Sequence, residues 1–339
     1  MASPAEAAAQ RLSWEMESWK SIEIRTHQDF TNHDVGRDPQ MDAAARFEDH
    51  YIETATGQRL YESSARPAGG DARQSTYYSD GTRCADLVDF DVNGARQHQM
   101  TIKRSFGSEA QRNTSFRPEP LNHLYIGTTP LPKALPKATH LGSDRHLDRD
   151  CDTFLFPGDR PGAAPAAIVY CLDRETSIPL EVRYFGDERS REDDRPYAIW
   201  RAESLDQVEG HRIPLKSEIL HYAQDQRGGT PATGQASHVS MTHKILVDEL
   251  HFQRDYPAAL FWPVVPPGTW VIDRIAQKDY TTGLPRVSGP LPGSVRAGEG
   301  TPVRAEPPAG WTSTLSAVGL GLGLVLLIAG LMLGWWRRP

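Results

Sequence analysis

From Ser21 to about Arg274 the chain reads as strand after strand. Short apolar–polar alternations are cut by turn signals roughly every 8–15 residues, with no long helical period between them. An alternating α/β fold needs a helix between successive strands, so this punctuation favours an antiparallel sheet. The expected fold is mainly β: one curved, barrel-like antiparallel sheet.

A helix is expected ahead of the strands. Over residues 4–20, Ala7, Ala8, Leu12, Met16 and Trp19 recur at helical spacing, with Glu15 and Glu17 on other faces. The period then changes at residues 21–26 (SIEIRT), which alternate as a half-buried strand does. Further strands are predicted over 47–53, 58–64, 75–79, 82–89 and 97–106, with turn signals at Asp80-Gly81 and Asn93-Gly94. Residues 116–138 hold Pro118, Pro120, Pro130, Pro132 and Pro136 and read as a loop with one short helix over 121–126. Strands resume over 150–156, 167–172, 180–185, 197–204, 213–222, 238–252 and 269–275.

The chain closes on about 22 uncharged, mostly apolar residues that begin at Leu315 and end at Trp336. At 1.5 Å of rise per residue, roughly 20 residues cross a ~30 Å hydrocarbon layer. Residues 314–336 are therefore expected to form one transmembrane helix. Trp335 and Trp336 suit a membrane–water boundary, and Arg337 and Arg338 follow them. The other flank carries one acid and no base, so the C-terminal tail, 337–339, is expected in the cytoplasm and the body on the far side. Gly319 and Gly323, like Gly330 and Gly334, are four apart. They would let a second helix approach closely, or they reflect only the abundance of Gly in spanning helices. Residues 1–18 show neither the basic start nor the apolar core of an export signal. Two arrangements are expected to compete: a start at a mature N-terminus, or a tail anchor with a cytosolic body. Residues 281–313 are Pro/Gly-rich and read as a linker with a typical reach of ~30 Å. This leaves residues 1–280 as the folded body.

A net charge of −7, spread along the chain, gives no nucleic-acid surface. Three cysteines do not make a disulfide scaffold. Cys151 and Cys171 lie in neighbouring predicted strands, so they form either one bridge in an oxidising compartment or two buried thiols. Cys84 follows Arg83, which would lower a thiol pKa, although a strand cysteine needs no such role. His140, Asp144, His146, Asp148, Asp150 and Asp152 sit at alternate positions and would share a face as metal ligands. With Arg145 and Arg149 interleaved, a solvated strand face is the preferred reading, and no metal or cofactor is expected. Asp86, Asp89 and Asp91 lack the framework of a calcium loop. Asn113-Thr114-Ser115 matches a glycosylation sequon, which matters only in a eukaryotic secretory setting. No nucleophile elbow, metalloprotease helix, phosphate loop or Cys-x-x-Cys is found, so no enzyme activity is expected.

Three segments, taken together and in order, resemble the bacterial outer-membrane lipoprotein carriers and lipoprotein-sorting-like proteins. Residues 167–184 (AIVYCLDRETSIPLEVRY) resemble a strand–turn–strand with an Asp-x-Glu-Thr turn before a Pro-Leu strand start. Residues 208–214 (VEGHRIP) are similar to that group's Gly-x-x-Ile-Pro turn. Residues 257–273 (PAALFWPVVPPGTWVID) are similar to its closing pattern. The resemblance spans roughly residues 5–280.

It implies an unclosed antiparallel barrel with an N-terminal helix and plug helices on its open side, whose apolar concave face holds acyl chains of lipoproteins or lipids. Most of the aromatics, Trp14, Tyr184, Trp262 and Trp270 among them, are expected to face inward, and Trp19, Phe154, Phe156, Trp200, Phe252 and Phe261 are the candidates for lining a ligand pocket. The carriers are soluble shuttles, whereas this chain carries an expected anchor. The leading expectation is therefore a non-catalytic lipid- or lipoprotein-binding domain at the bacterial inner membrane, with its bulk in the periplasm. The alternative is an envelope-sensing regulator that signals through the anchor to a partner; a membrane-tethered hydrolase is the weakest reading.

Overall fold

The computed structural model describes residues 2–33, 45–66, 73–92, 95–104, 117–158, 165–222 and 238–283. The expected linker beyond Gly283, the apolar run, the tail, the Asn93-Gly94 turn and the sequon all lie outside these residues. Among the described residues no helix is long and apolar enough to cross a membrane.

The chain opens with α1 (Pro4–Glu17), started by a capping box in which the Ser3 hydroxyl accepts from the Glu6 N–H and the Glu6 carboxylate accepts from the Ser3 N–H. The helix stops short of the expected residue 20. The Ser18 hydroxyl donates to the Glu15 carbonyl (2.6 Å), and Trp19 falls in the bend that leads into the sheet. Six strands follow: β1 (Ser21–Asn32), β2 (Ala45–Thr54), β3 (Arg59–Arg66), β4 (Arg73–Ser79), β5 (Arg83–Val92) and β6 (Ala95–Arg104). A covering segment comes next. It contains a 3-10 turn (Leu121–Leu124), a small ribbon of β7 (Tyr125–Ile126) and β8 (Thr129–Pro130), α2 (Leu131–Ala134) and a second 3-10 turn (Leu135–Lys137).

The second run is β9 (Thr139–His146), β10 (Arg149–Pro157), β11 (Ala167–Asp173), β12 (Pro179–Phe185), α3 (Glu188–Glu192) and β13 (Ala198–Ala202). It continues with the ribbon β14 (Asp206–Val208) and β15 (His211–Ile213), then β16 (Lys216–Tyr222) and β17 (Val239–Phe252). The ribbon turns on Glu209 and Gly210, both at positive φ (51° and 90°), the backbone that a two-residue hairpin requires. A 3-10 turn (Ala258–Phe261), β18 (Trp270–Asp273) and β19 (Lys278–Thr281) complete the described chain.

Among the described residues, 15 strands form one sheet in the order β19-β18-β6-β5-β4-β3-β2-β1-β17-β16-β13-β12-β11-β10-β9. The fold is mainly β, with a large unclosed curved sheet and few helices. Every pairing is antiparallel except β18 with β6. The central seam is β1 against β17, running from Ile22↔Phe252 to Asn32↔Met241 with one bulge at Arg25/Thr26. It joins the two meanders, one on each side. Cys151 and Cys171 form a disulfide between β10 and β11, with Cα atoms 5.7 Å apart. Strand β9 is polar on both faces, which is why alternation did not reveal it.

Both faces of the first meander are covered. The inner face carries α1 and the covering segment. On the outer face Phe261 packs on Ile52 and Leu60, and the chain then joins the edge of the sheet as β18, where Val271 beside β6 clusters with Ala85, Met100 and Ile102. Burial on two faces explains why Ser21 and Glu23 are as hidden as Ile22 and Ile24. Glu23 accepts from Arg254 (2.8 Å) and Tyr256 (2.7 Å), which compensates its desolvation.

Ile24 is fully buried in the seam, between Leu250 and Tyr51. Ile24→Ala is expected to cost about 2–5 kcal/mol in urea unfolding. Arg25→Ala, one residue on and facing solvent, is expected to cost under about 0.5 kcal/mol.

Candidate functional site

The inner face is held mainly by small and aliphatic side chains. Ala5, Ala8, Ala9 and Leu12 of α1, with Leu121, Leu124, Leu131 and Leu135, sit on Ile22, Ile24, Tyr51, Val247 and Leu250. Phe154, Phe156, Trp200 and Phe252 are buried in the same cluster. The sheet's hollow is thus largely filled by the chain itself.

Among the described residues there is a cleft of about 210 Å³ between the C-terminal end of α1 and the covering segment. Met16, Trp19, Ile22, Leu121 and Leu124 form its apolar side, and Glu53, Thr54, Arg117 and Tyr125 its polar side. Because α1 ends early, Trp19 is free of the helix and leans on Phe252, with ring centroids 5.4 Å apart. Its indole N–H reaches His211 (3.2 Å), whose Nδ1 lies 2.8 Å from Glu15.

The polar wall follows from strand periodicity. Glu53 shares the inner face of β2 with Tyr51, and Arg59 stands directly opposite on β3. Arg59 holds one Glu53 oxygen (Nε 2.7 Å, Nη2 2.6 Å), and the Tyr51 hydroxyl donates to the other (2.7 Å). The Arg117 Nε lies 3.5 Å from that second oxygen, and its guanidinium sits 3.5 Å above the Tyr125 ring. Burial pushes the Glu53 carboxyl up, but Arg59, Arg117 and the Tyr51 hydroxyl outweigh it and hold the pKa below the ordinary value. Burial, reinforced by Glu53, drives the Tyr51 hydroxyl well above its own ordinary value. A carboxylate pinned as the anion is a weak base, and such a phenol is a weak nucleophile. The wall is built to hold charge, not to transfer protons.

A second polar cluster lies deeper. His123 Nε2 is 2.6 Å from a Glu119 oxygen, its Nδ1 is 3.1 Å from the Tyr184 hydroxyl, and its ring stacks on Trp200 at 4.2 Å. Asp49 bonds Tyr61 (3.0 Å) and Gln28 (2.8 Å), and its burial raises its pKa despite them. The interior is therefore apolar only in part.

Of the sequence candidates, Trp19 alone lines the cleft. Phe154, Phe156, Trp200 and Phe252 form the packed floor beneath α1. Phe261 lies on the opposite face of the sheet, because the segment between β17 and β18 packs outside β2 and β3 rather than returning to the hollow. Trp14, expected inward, is 73% exposed on the far side of α1 from Leu12, and Trp270 is exposed as well. Residues 140–152 form the hairpin β9–β10, in which Arg174 bonds Asp152 (3.1 Å) and His146 reaches the Ala202 carbonyl (3.0 Å). Among the described residues no three such side chains gather as a metal site. Cys84 is buried, and burial followed by Asp86 raises its thiol pKa. Arg83, meanwhile, turns to Asp80 and to the Trp262 ring, so it does not activate that thiol. Glu53, Arg59 and Arg117 carried no sequence signal, since a charged residue at an inward strand position looks like any other break in alternation.

No family model matches the chain, and no curated protein matches it. Similar solved structures include a LolA superfamily protein from Nitrosomonas europaea, at 10% identity, 77% of this chain, 99% of that chain and TM-score 0.42. A DUF1329 family protein from Desulfovibrio piger gives 10% identity, 77% and 98% coverage and TM-score 0.40. An outer membrane lipoprotein-sorting protein domain from Vibrio parahaemolyticus gives 13% identity, 76% and 95% coverage and TM-score 0.38. The structural neighbours are thus LolA superfamily and lipoprotein-sorting-like proteins, at low TM-score and low identity.

Glu53→Gln removes the carboxylate that pairs with both Arg59 and Arg117. The expected loss at pH 7 lies between the ~1 kcal/mol of a surface pair and the ~3–5 kcal/mol of a fully buried one. The folded pKa of Glu53 is depressed, so its contribution is complete above the ordinary carboxylate pKa and is lost as pH falls through the folded value. Urea unfolding across that range should therefore show wild type and variant converging as the solution is acidified.

Proposed function

We propose that the body is a membrane-tethered binding module that takes a lipid or lipoprotein acyl chain into the cleft at the end of α1, without covalent chemistry. The cleft itself carries this reading: it is an open space with an apolar side continuous with the packed layer under α1. A dry cavity of ~150 Å³ takes up benzene, so about 210 Å³ admits the leading stretch of a chain. Each buried methylene contributes ~0.8 kcal/mol. A longer chain would continue beneath α1, whose buried residues are three alanines and one leucine. Alanine methyls give the helix little apolar area to lose on lifting.

In this reading residues 1–280 bind, 281–313 form the leash, 314–336 span the bacterial inner membrane and 337–339 reach the cytoplasm, which leaves the body periplasmic. The length and apolarity of the run from Leu315 to Trp336, with Arg337 and Arg338 after it, support this arrangement. A leash of typical reach ~30 Å suits a fixed acceptor beside its own membrane rather than a shuttle between two. The sequence motifs shared with the lipoprotein carriers support the same ligand class.

The test is photolabelling of the full chain with a diazirine-bearing palmitate, followed by peptide mapping. Labelled peptides containing Met16, Trp19 and Leu124 are expected. Labelling confined to residues 315–336, or no labelling of the body, overturns the proposal.

A further inference from the structure

Among the described residues the exposed large hydrophobics are Trp14, Leu141, Val264, Trp270 and Tyr280. The last three gather at one edge of the sheet, on β18, on β19 and on the loop that leads into β18. Single exposed apolar residues are ordinary on a protein surface, whereas a cluster marks a contact. Residues 256–272 also carry no charge, in a chain of which 24% is charged. Val264 is the extreme case at 94% exposed, and the loop that presents it is tied down. The Gly268 N–H donates to the Thr282 carbonyl (2.7 Å), and the Thr269 and Thr282 hydroxyls both donate to the Pro266 carbonyl (2.7 and 2.6 Å). Behind it Pro263 is buried and Val265 packs on the cluster around Val271. A rigid loop that already holds a valine in water has little ordering cost left for a contact. Trp270 pairs with Thr281 and Tyr280 with Val271, so the two rings stand on opposite faces of the hairpin and flank its edge.

The chain leaves the described body at this same edge, where Gly283 lies against Pro267. Only residues 284–314 separate that point from the apolar run, a typical reach of ~30 Å. Resting on the membrane-tethered reading above, we propose that the β18–β19 edge seats on the bilayer surface. Val264 enters the boundary between headgroups and acyl chains, and the Trp270 and Tyr280 rings lie in the interface beside it. One valine and two partly covered rings would hold a free protein only weakly. The tether makes the contact intramolecular, and the resulting effective concentration lets a weak contact be occupied. The body then keeps one edge toward its membrane instead of sweeping the full length of the leash.

The test places one NBD-labelled cysteine at a time in the full chain, reconstituted into vesicles of phosphatidylethanolamine and phosphatidylglycerol. The positions are Val264→Cys, Leu141→Cys on β9 at the opposite edge of the sheet, and Val325→Cys in the apolar run. Val264 and Leu141 are exposed, so neither change disturbs packing, and the native Cys84 is buried away from the label. The Val264 label is expected to emit at shorter wavelength than the Leu141 label and to lose intensity to lipids carrying a doxyl group near the head. The Leu141 label is expected to keep its full intensity, and the Val325 label to be quenched by mid-chain doxyl lipids. Aqueous emission at position 264, or equal quenching at 264 and 141, overturns the proposal. A label at 264 that is shifted but unquenched shows that protein covers the edge, a second copy or the leash, and overturns it too. Quenching at 325 without quenching at 264 removes this inference and leaves the tether standing. Absence of quenching at 325 removes the tethered reading and this inference with it.

Discussion

The pairing of β1 with β17 is the constraint on which the rest of the structure depends. It brings residues 22–32 beside residues 241–252 through eleven register pairs. A closure spanning most of the described chain is entropically costly, and it is held by main-chain hydrogen bonds and by the apolar inner face they align. Once it forms, two separate meanders become one sheet with a shared hollow. Ile22, Ile24, Val247, Leu250 and Phe252 then make a continuous apolar floor, and α1 lies on it. Without the seam, α1 would have half a platform.

How the hollow is filled decides what the protein can do. A sheet this large exposes more inner surface than one short helix can cover, and the chain answers with a second cover from 121–137. The two covers do not meet at the C-terminal end of α1, because the helix gives way to the bend at Ser18 and Trp19. The cleft is the gap between them. Its polar side arises because β2 and β3 place Glu53 and Arg59 on the inner face, where Arg117 of the covering segment lands against them. Apolar packing and ionic pairing thus meet at one site.

Much of the scaffold was legible. Residues 21–26 do form a strand, though it is buried on both faces rather than on alternate residues; Asp80-Gly81 does turn β4 into β5, and the Asp173 carboxylate closes its turn on the Thr176 N–H and hydroxyl. These are local events, decided by period and turn chemistry within a few residues. The candidate site was read far less well. Phe154, Phe156, Trp200 and Phe252 pack together in the inner cluster, yet nothing local separates a floor residue from a lining one. Phe261 has the same composition around it and went to the outer face, because the route from β17 to β18 over β2 and β3 is a long-range choice.

By itself, the sequence determined the β class, the leading helix, the main turns and the presence of an apolar run long enough to span a bilayer, since each depends on neighbours along the chain. Only the tertiary structure decided which strand closes the two meanders, which aromatics are buried as floor, and where the cover falls short. It also decided that Glu53, Arg59 and Arg117, far apart in sequence, share one wall. These features depend on side chains brought together by long-range pairing, and a one-dimensional period carries no information about which distant face a residue will meet.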